Sequence, residues 1–224
     1  GIFHAKAYIF ATGGVSHPET GSTGDGFNWL RALGHTVKNP TPTIVPIEVA
    51  DEWVKSLAGV SLSFMKITFF SVVEQKDDKV LAKKAFSETG KVLFTHFGLS
   101  GPLILNAAGK VNDLLTGGQQ VIATIDAYPD TDLGALDRSI TATFDKNKNK
   151  DFKNIFKEVC PAGTADAIVT LLSFDTTKKV HSITKEERKE IARLLKALPI
   201  TIVGLMGFDR AVVADGGVPL AEVD

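Results

Sequence analysis

Cysteine is nearly absent from this sequence, since Cys160 is the only one in 224 residues. A disulfide framework within the chain is therefore excluded, and such sparing use of cysteine is typical of a reducing compartment. We accordingly expect a cytoplasmic protein. The five histidines are scattered, so the sequence contains no cluster at the short spacing that a zinc site requires.

An excess of charge is also absent, because 25 basic residues face 26 acidic ones and the net charge is -1. Binding to nucleic acid or to an acidic membrane surface needs sustained positive potential, so neither partner is indicated. No apolar run approaches the roughly 20 residues that cross a bilayer. Hydrophobic residues still make up 44% of the chain, which is enough for a core in one large or two small domains. Because the chain begins Gly1-Ile2-Phe3, without Met and in a strand-like pattern, we expect a piece of a longer protein.

Glycine, by contrast, is concentrated near the start of the chain. Residues 5–11, AKAYIFA, form a short apolar run that is typical of a buried strand in a parallel sheet. Five glycines fall within 13–26, and FNWLRAL at 27–33 then has helical spacing. Asp25 is placed to cap this helix, and Gly34 to follow it in a left-handed conformation. The pattern predicts a strand, a long loop and a helix.

Short strands are predicted between residues 39 and 128, where apolar runs alternate with Asp-Asp, Thr-Gly and Gly-Gly turn signals, the second of them at Thr89-Gly90. One helix interrupts them at LILNAA, with Ser100 as the expected N-cap, Pro102 in the first turn and Gly109 closing the helix. The expected strands are TIVPIEV at 43–49, VSLSFMKITFFSVVE at 60–74, KVLAKKAFSE at 79–88, KVLFTHF at 91–97 and QQVIATIDAY at 119–128.

The pattern becomes helical between residues 132 and 198. A capping box from Thr184 to Glu187 opens the last helix of this region. The lysine-rich KNKNKDFK is interpreted as a solvated loop between helices. The chain then returns to strands at TIVGLM and RAVVADGGV, so a helical segment interrupts a β domain. The expected helices are LGALDRSITATF, FKNIFKEV, ADAIVTLLSF and KEERKEIARLLKAL.

Spacing alone leaves two explanations for the glycine loop. Residues 21–26 read G-x-x-G-x-G, the reverse of the dinucleotide-binding spacing, and that motif also needs a tight turn between strand and helix. The loop is therefore not that motif. Its glycines serve either a structural crossover through left-handed conformations or the close approach of backbone to a flat ligand.

Several long motifs together resemble one family. In chain order they are ATGGVSHPETGSTGDGF, LGHTV, PTPTIVPIEV, LAGVSL, KVLFTHFGLSGPLIL and RAVVADGGV. This series resembles the bacterial conserved flavoproteins, aminoacetone-oxidase-like FAD-dependent oxidoreductases. The resemblance covers nearly the whole chain; it is strongest at 11–36 and 93–104 and weakest in the helical segment.

The resemblance implies that this chain is the middle portion of such a flavoprotein, because neither the family's G-x-G-x-x-G unit nor its C-terminal flavin segment occurs in it. The implied fold is α+β. A Greek-key β-barrel at 41–130 and 199–219 carries an all-helical subdomain at 131–198, and residues 1–40 are a strand-loop-helix remnant of the α/β FAD-binding domain. FAD is expected in the parent protein, whereas the isolated chain is expected to be inactive and free of flavin. The expected partners are the remainder of the parent and a small-molecule substrate, with no nucleic acid and no membrane.

The resemblance also assigns flavin contacts, while naming no catalytic residue and no metal site. The family's second flavin motif falls on the strand end at 11–14 and on the glycine loop at 20–26. A third region, at 95–102, lies where the barrel would face the flavin ring. A closing strand supplies the last glycines, at 216 and 217. At that strand the threonine expected two residues before the glycines is Ala214, which puts a hydroxyl contact there in doubt. The implied contact residues are Ala11, Thr12, Gly13, Gly14, Thr20, Gly21, Ser22, Thr23, Gly24, Gly26, His96, Gly101, Gly216 and Gly217.

Two other functions compete for the same residues. GLSGP at 98–102 is one residue short of the nucleophile elbow of serine hydrolases, and Ser100 is better explained as an N-cap. The second alternative is a non-catalytic binding or protein-interaction module. In either case Phe64, Phe69 and Phe70 are expected in the core, and Cys160 is expected to be a packed thiol.

Overall fold

The computed structural model describes residues 1–76 and 79–223, without the side chains of residues 75, 76 and 79. Contacts divide the chain into two compact units. The first unit is Gly1–Val45 with Met206–Asp224, and the second, the barrel unit, is Pro46–Leu205.

The described residues form the following strands and α-helices. The strands are β1 (Lys38–Thr43), β2 (Ile47–Val49), β3 (Ser61–Lys76), β4 (Lys79–Thr95), β5 (Gly98–Ser100), β6 (Val121–Asp126), β7 (Leu198–Leu205) and β8 (Val213–Gly217). The α-helices are α1 (Asp25–Ala32), α2 (Glu52–Lys55), α3 (Pro102–Thr116), α4 (Leu133–Lys146), α5 (Phe152–Val159), α6 (Ala165–Ile168) and α7 (Lys185–Lys196).

Six strands of the barrel unit close on themselves in the order β2-β5-β4-β3-β6-β7, with every neighbouring pair antiparallel. Three consecutive strands, β3 to β5, form a meander, and β2 lies beside the last of them. This is the Greek-key arrangement run in the reverse direction. The predicted α+β fold with a Greek-key barrel is therefore confirmed.

Period-two burial explains why these segments form the barrel wall. In β6, Val121, Ala123 and Ile125 are buried, while the residues between them are only partly covered. Successive side chains of a strand point to opposite faces, so one face of each strand lines the core. Helix α3 adds Leu103 and Ile104 to this same core.

The predicted turn at Thr89-Gly90 is wrong, because strand β4 runs through this pair without a break. Gly90 is opposite Met65 in the ladder. A Cβ atom added to Gly90 would lie 3.3 Å from Cβ of Leu103 on α3. The glycine therefore lets a helix approach the strand closely and does not mark a turn.

Helix α3 was also predicted too short and with the wrong cap. Ser100 is the last residue of β5 and pairs with Leu93, and Gly101 is the N-cap residue without a side-chain hydrogen bond. The helix continues past Gly109 to Thr116, because its buried face continues as far as Val111. Tertiary packing thus outweighs the cost of about 1 kcal/mol for an interior glycine.

The helical segment between β6 and β7 is as expected, and its last helix carries the predicted capping box. The Thr184 hydroxyl accepts from the Glu187 amide, and the Glu187 carboxylate accepts from the Thr184 amide. Only the ADAIVTLLSF region is less regular than expected, since α6 ends at Ile168 and is followed by a short 3₁₀ turn.

The end of α7 is fixed to the end of β6 by one lysine. Lys196 Nζ lies 2.6 Å from Oδ2 of Asp126 and donates to the carbonyl oxygens of Tyr128 and Thr131 at 2.8 and 2.7 Å. Both charged side chains are about four-fifths buried, at 20% and 18% exposure. This cluster connects the helical segment to the barrel wall.

The first unit departs furthest from expectation. Residues 5–11 form no strand, and Ile9 is 92% exposed. A buried parallel strand needs a neighbour on each side, and no described strand pairs with this run. The segment RAVVADGGV forms β8 as predicted, but β8 pairs with β1 in a separate two-stranded ladder and not with the barrel.

The cap of helix α1 lies one residue earlier than was predicted. Gly24 is the N-cap residue, with φ +80°, and Asp25 is the first residue of the helix. The negative charge of Asp25 therefore interacts favourably with the helix dipole, and its side chain does not cap the helix. Gly34 follows the helix with φ +97°, as predicted.

Candidate functional site

The glycine loop closes on itself through backbone hydrogen bonds. The Gly24 amide donates to the Gly14 carbonyl at 3.1 Å, and the Gly21 amide donates to the Pro18 carbonyl at 3.0 Å. His17, at φ +53°, starts the intervening turn, and its amide donates to the Phe208 carbonyl. The loop is thereby fixed to the segment that follows the barrel in the sequence but belongs to the first unit.

Three glycines of the loop are needed for packing within the loop. A Cβ atom on Gly13 would lie 3.1 Å from the Ser22 hydroxyl oxygen, and one on Gly24 would lie 2.8 Å from a methyl group of Val15. A Cβ atom on Gly26 would overlap the Thr12 hydroxyl. These positions support the structural explanation of the loop.

Two other glycines leave the backbone bare. Around Gly14 and Gly21 there is nothing within 4 Å of an added Cβ atom, and Gly21 has φ +99°. The hydroxyl of Ser16, between them in the sequence, is buried and has no hydrogen-bond partner among the described residues. Burying a polar group without a partner costs about 1–3 kcal/mol.

The start of α1 is not a phosphate site. Phosphates bind helix N-termini through free amides and the positive end of the dipole. Here the first helical residue is Asp25, whose carboxylate accepts from the Thr23 hydroxyl at 2.8 Å. This carboxylate would repel a pyrophosphate at the start of the helix.

The closing glycines come to the same region of the first unit. A Cβ atom on Gly217 would lie 3.3 Å from the Phe27 ring, and one on Gly24 would lie 3.8 Å from that ring. Gly216, at φ +126°, would bring its Cβ atom to 2.9 Å from Pro40. Twelve of the fourteen predicted contact residues thus belong to the first unit. The sequence prediction did not include Ser16 or Phe27, although both lie inside the motif ATGGVSHPETGSTGDGF.

The other two predicted residues belong to the barrel unit. His96 is exposed and meets Phe97 edge-on at 4.9 Å between ring centroids. Gly101 has φ +93°, and a Cβ atom there would lie 3.0 Å from the Leu93 amide nitrogen. Gly101 is therefore required by strand packing, whatever ligand it meets, and the flavin contacts of both residues stay predictions.

The structure also locates the residues that were considered for other functions or for the core. Ser100 makes no hydrogen bond to a histidine among the described residues, so a serine–histidine pair is not formed there. Burial raises the pKa of the Cys160 thiol to about 12, which fits a packed thiol. Phe69 is buried, as predicted, but Phe64 is not in the core: it is 74% exposed with φ +58°, in a β-bulge between Leu62 and Met65.

None of the described helices has the length and apolarity needed to pass through a bilayer.

Comparison with known proteins identifies related chains. Residues 41–213 match the model of the HI0933-like protein barrel and H2TH domain. The chain is 23% identical over 222 residues to a 3-dehydro-bile acid delta(4,6)-reductase of Clostridium scindens, covering 99% of this chain and 52% of that protein. It is 33% identical over 105 residues to a ribosomal RNA dihydrouridine synthase of Haemophilus influenzae, covering 46% of this chain and 23% of that protein. The chain thus spans about half the length of the first relative and less of the second. With most of its residues inside the family match, the chain belongs to the HI0933-like family, which fits the flavoproteins that its motifs resemble.

Proposed function

We propose that the first unit supplies part of the flavin pocket of an FAD-dependent oxidoreductase, and that the barrel unit covers the substrate. One observation carries the proposal for the first unit. The backbone is bare at Gly14 and Gly21, and between them in the sequence the buried hydroxyl of Ser16 has no partner in the part of the chain that the structure describes. A flat ring can approach such backbone closely, and the hydroxyl offers it a hydrogen bond.

The residues present fit the ring portion of FAD and not its pyrophosphate. Asp25, with its carboxylate at the start of α1, disfavours an anion there. We therefore propose that the pyrophosphate is held by sequence outside this chain. When bound, FAD would supply the redox chemistry, while the loop of this chain binds and orients the ring and excludes water from one of its faces.

The names of the two relatives suggest the reaction class. Each describes adding hydrogen to an unsaturated ring, in one case of a 3-dehydro bile acid and in the other of a uridine in ribosomal RNA. We propose that the protein containing this chain likewise reduces an unsaturated ring, with the non-catalytic binding module as the alternative for the isolated chain.

Replacing a bare glycine of the loop tests the proposal. In the longer protein that we expect to contain this chain, Gly21→Ala should lower the flavin absorbance per mole of purified protein. Gly34→Ala is a matched control, because Gly34 also has positive φ and open space around it but lies outside the loop. Both substitutions carry the same backbone strain of about 1 kcal/mol, so only a ligand contact separates them.

Equal flavin content in the two variants would overturn the assignment of Gly21. The isolated chain offers a second measurement: it should be colourless after purification, and a yellow preparation with near-stoichiometric flavin would show that this chain holds the cofactor without further sequence.

A further inference from the structure

A groove of about 560 Å³ lies between α3 and the β3–β4 hairpin in the barrel unit. Its floor is apolar, formed by Phe86 and Leu114, and Phe86 stacks on the buried Phe69 at 4.6 Å between ring centroids. Stacking fixes the Phe86 ring, so the floor is a rigid apolar surface. Ser71 and Gln119 add hydrogen-bonding groups to its walls.

Three lysines line this floor: Lys83, Lys84 and Lys110. Lys83 and Lys84 are neighbours on β4, and alternation would normally send them to opposite faces. A β-bulge changes the register here, since Phe69 is opposite Phe86 but the next residue, Phe70, is opposite Lys84. This bulge lies between Lys84 and Phe86, so it allows Lys83 and Phe86, which are three residues apart, to share one face of the strand. Lys84 also lines the groove.

The lysines that line the groove outnumber the acids that line it among the described residues. Lys110 is paired with Glu88 at 2.7 Å and lies over the Phe86 ring at 5.2 Å. Among the described side chains, neither Lys83 nor Lys84 has a carboxylate partner, and both are exposed. One acid, Asp113, also lines the groove. The groove therefore combines an apolar floor with a small net positive charge.

We propose that this groove binds a small amphipathic anion, which places an apolar ring body on Phe86 and Leu114 and a carboxylate, sulfonate or phosphate head near Lys83 and Lys84. The site is separate from the flavin site proposed above. A small ligand fits better than a polyanion for two reasons: the chain has a net charge of -1, and Asp113 would repel a continuous phosphate backbone.

A pair of probes that differ only in charge tests the proposal on the full chain. In fluorescence titrations at low salt, 1-pyrenebutyrate should bind about fivefold to tenfold more tightly than the uncharged 1-pyrenebutanol, the effect expected of two partly screened lysines. The difference should shrink in high salt. The double variant Lys83→Gln/Lys84→Gln should abolish the preference for the anion.

The control is Lys150→Gln/Lys153→Gln, which removes two exposed lysines of the helical segment and should leave the preference intact. A third variant, Leu114→Gln, should weaken the binding of both probes, and thermal unfolding would verify that each variant is folded. Equal affinity for the two probes, an unchanged preference in the Lys83/Lys84 variant, or no binding of either probe would each overturn the proposal. So would displacement of the probe by RNA oligonucleotides with an affinity that grows with their length, since that would indicate a surface for polyanions.

Discussion

The two units differ in how their apolar side chains are used. The barrel unit contains large side chains with no exposure or nearly none, such as Phe152, Phe156 and Ile191. In the first unit the buried apolar residues, among those described, are Val45 and Ala211. Many of its larger apolar side chains are exposed, among them Phe3, Ile9 and Trp29.

This difference teaches that the two units obtain their stability from different sources. The barrel unit removes enough apolar surface from water to be held together by its own core. The first unit is held by the β1–β8 ladder and by hydrogen bonds of the glycine loop, with little hydrophobic burial. Our proposal that flavin and further sequence complete this unit would bring some of these exposed apolar side chains into contacts.

The largest expected effect comes from the same substitution made in each unit. Ile191→Ala, in the fully buried face of α7, should lower the free energy of unfolding by about 2–5 kcal/mol, because it removes buried methyl groups and leaves a cavity. Ile9→Ala, at 92% exposure, should change it by less than about 0.5 kcal/mol. Urea unfolding followed by circular dichroism measures both.

Comparable losses at the two positions would contradict the comparison, because they would show that the N-terminal run is packed in solution. Hydrogen exchange offers an independent check: the amides of residues 1–16 should exchange without protection, whereas those of β6 should be among the slowest.

A smaller effect is expected at the junction between the helical segment and the barrel wall. Lys196→Met removes the ion pair with Asp126 and leaves the carbonyl oxygens of Tyr128 and Thr131 without their donor. We expect a loss of about 2 kcal/mol in the free energy of unfolding, less than for a fully buried pair because both groups retain some exposure. Lys189→Met, on the exposed face of the same helix, is the control and should have little effect.

If Lys196→Met proves as mild as Lys189→Met, the lysine does not connect the two parts as the structure indicates. The near-ultraviolet signal of Tyr128 should also change in the Lys196 variant and not in the control, because the Tyr128 carbonyl accepts a hydrogen bond from Lys196 and none from Lys189.

Sequence patterns predicted the barrel unit well because its determinants are local. The alternation in β6 and the Thr184–Glu187 capping box each lie within a few residues, and both were found in the structure. Gly90 and Gly109 were misread as a turn and a helix end, because the partners that decide their conformation are distant: Leu103 packs on Gly90, and the core extends the buried face of α3 beyond Gly109.

The candidate site was predicted only in outline, for the same reason. The motif located the glycine loop, and the loop does leave Gly14 and Gly21 bare. The sequence could not tell these from Gly24 and Gly26, since the distinction depends on where Val15 and Thr12 fold back. Nor could it show that the Ser16 hydroxyl lacks a partner within residues 1–76 and 79–223, which requires the positions of all its neighbours.

A pH-dependent effect of about 1 kcal/mol or less is expected at the α4–α7 contact. Hydrogen bonding from the Arg188 guanidinium lowers the pKa of Asp137 below its usual value. A carboxyl group with a lowered pKa in the folded state stabilises the protein above its unfolded-state pKa of about 3.9. That contribution is lost as the pH falls through the lower, folded-state pKa.

Asp137→Asn should therefore lose stability near neutral pH and show a shallower decline of stability on acidification than the parent chain. In an Arg188→Met background the same change should make no further difference to the pH dependence, since the guanidinium is the main cause of the shift. Thermal unfolding between about pH 7 and pH 3 measures both, and an equally steep decline in Asp137→Asn would contradict this account.

The smallest effect has the opposite sign and concerns the glycine that was misread. Gly109 lies inside α3 with open space around its Cβ position, so Gly109→Ala should raise the free energy of unfolding by about 0.5 kcal/mol. Gly118 also has open space but a φ of +76°, and Gly118→Ala should lower stability because alanine is strained in that conformation. Chemical denaturation measures both changes in the free energy of unfolding. Changes of opposite sign would show that backbone conformation, and not the space around the Cβ position, decides the effect of alanine at these two positions. Stabilisation by both substitutions would instead mean that the turn after α3 does not keep its left-handed conformation. The packing of α3 on the barrel would then be what determines where the helix ends.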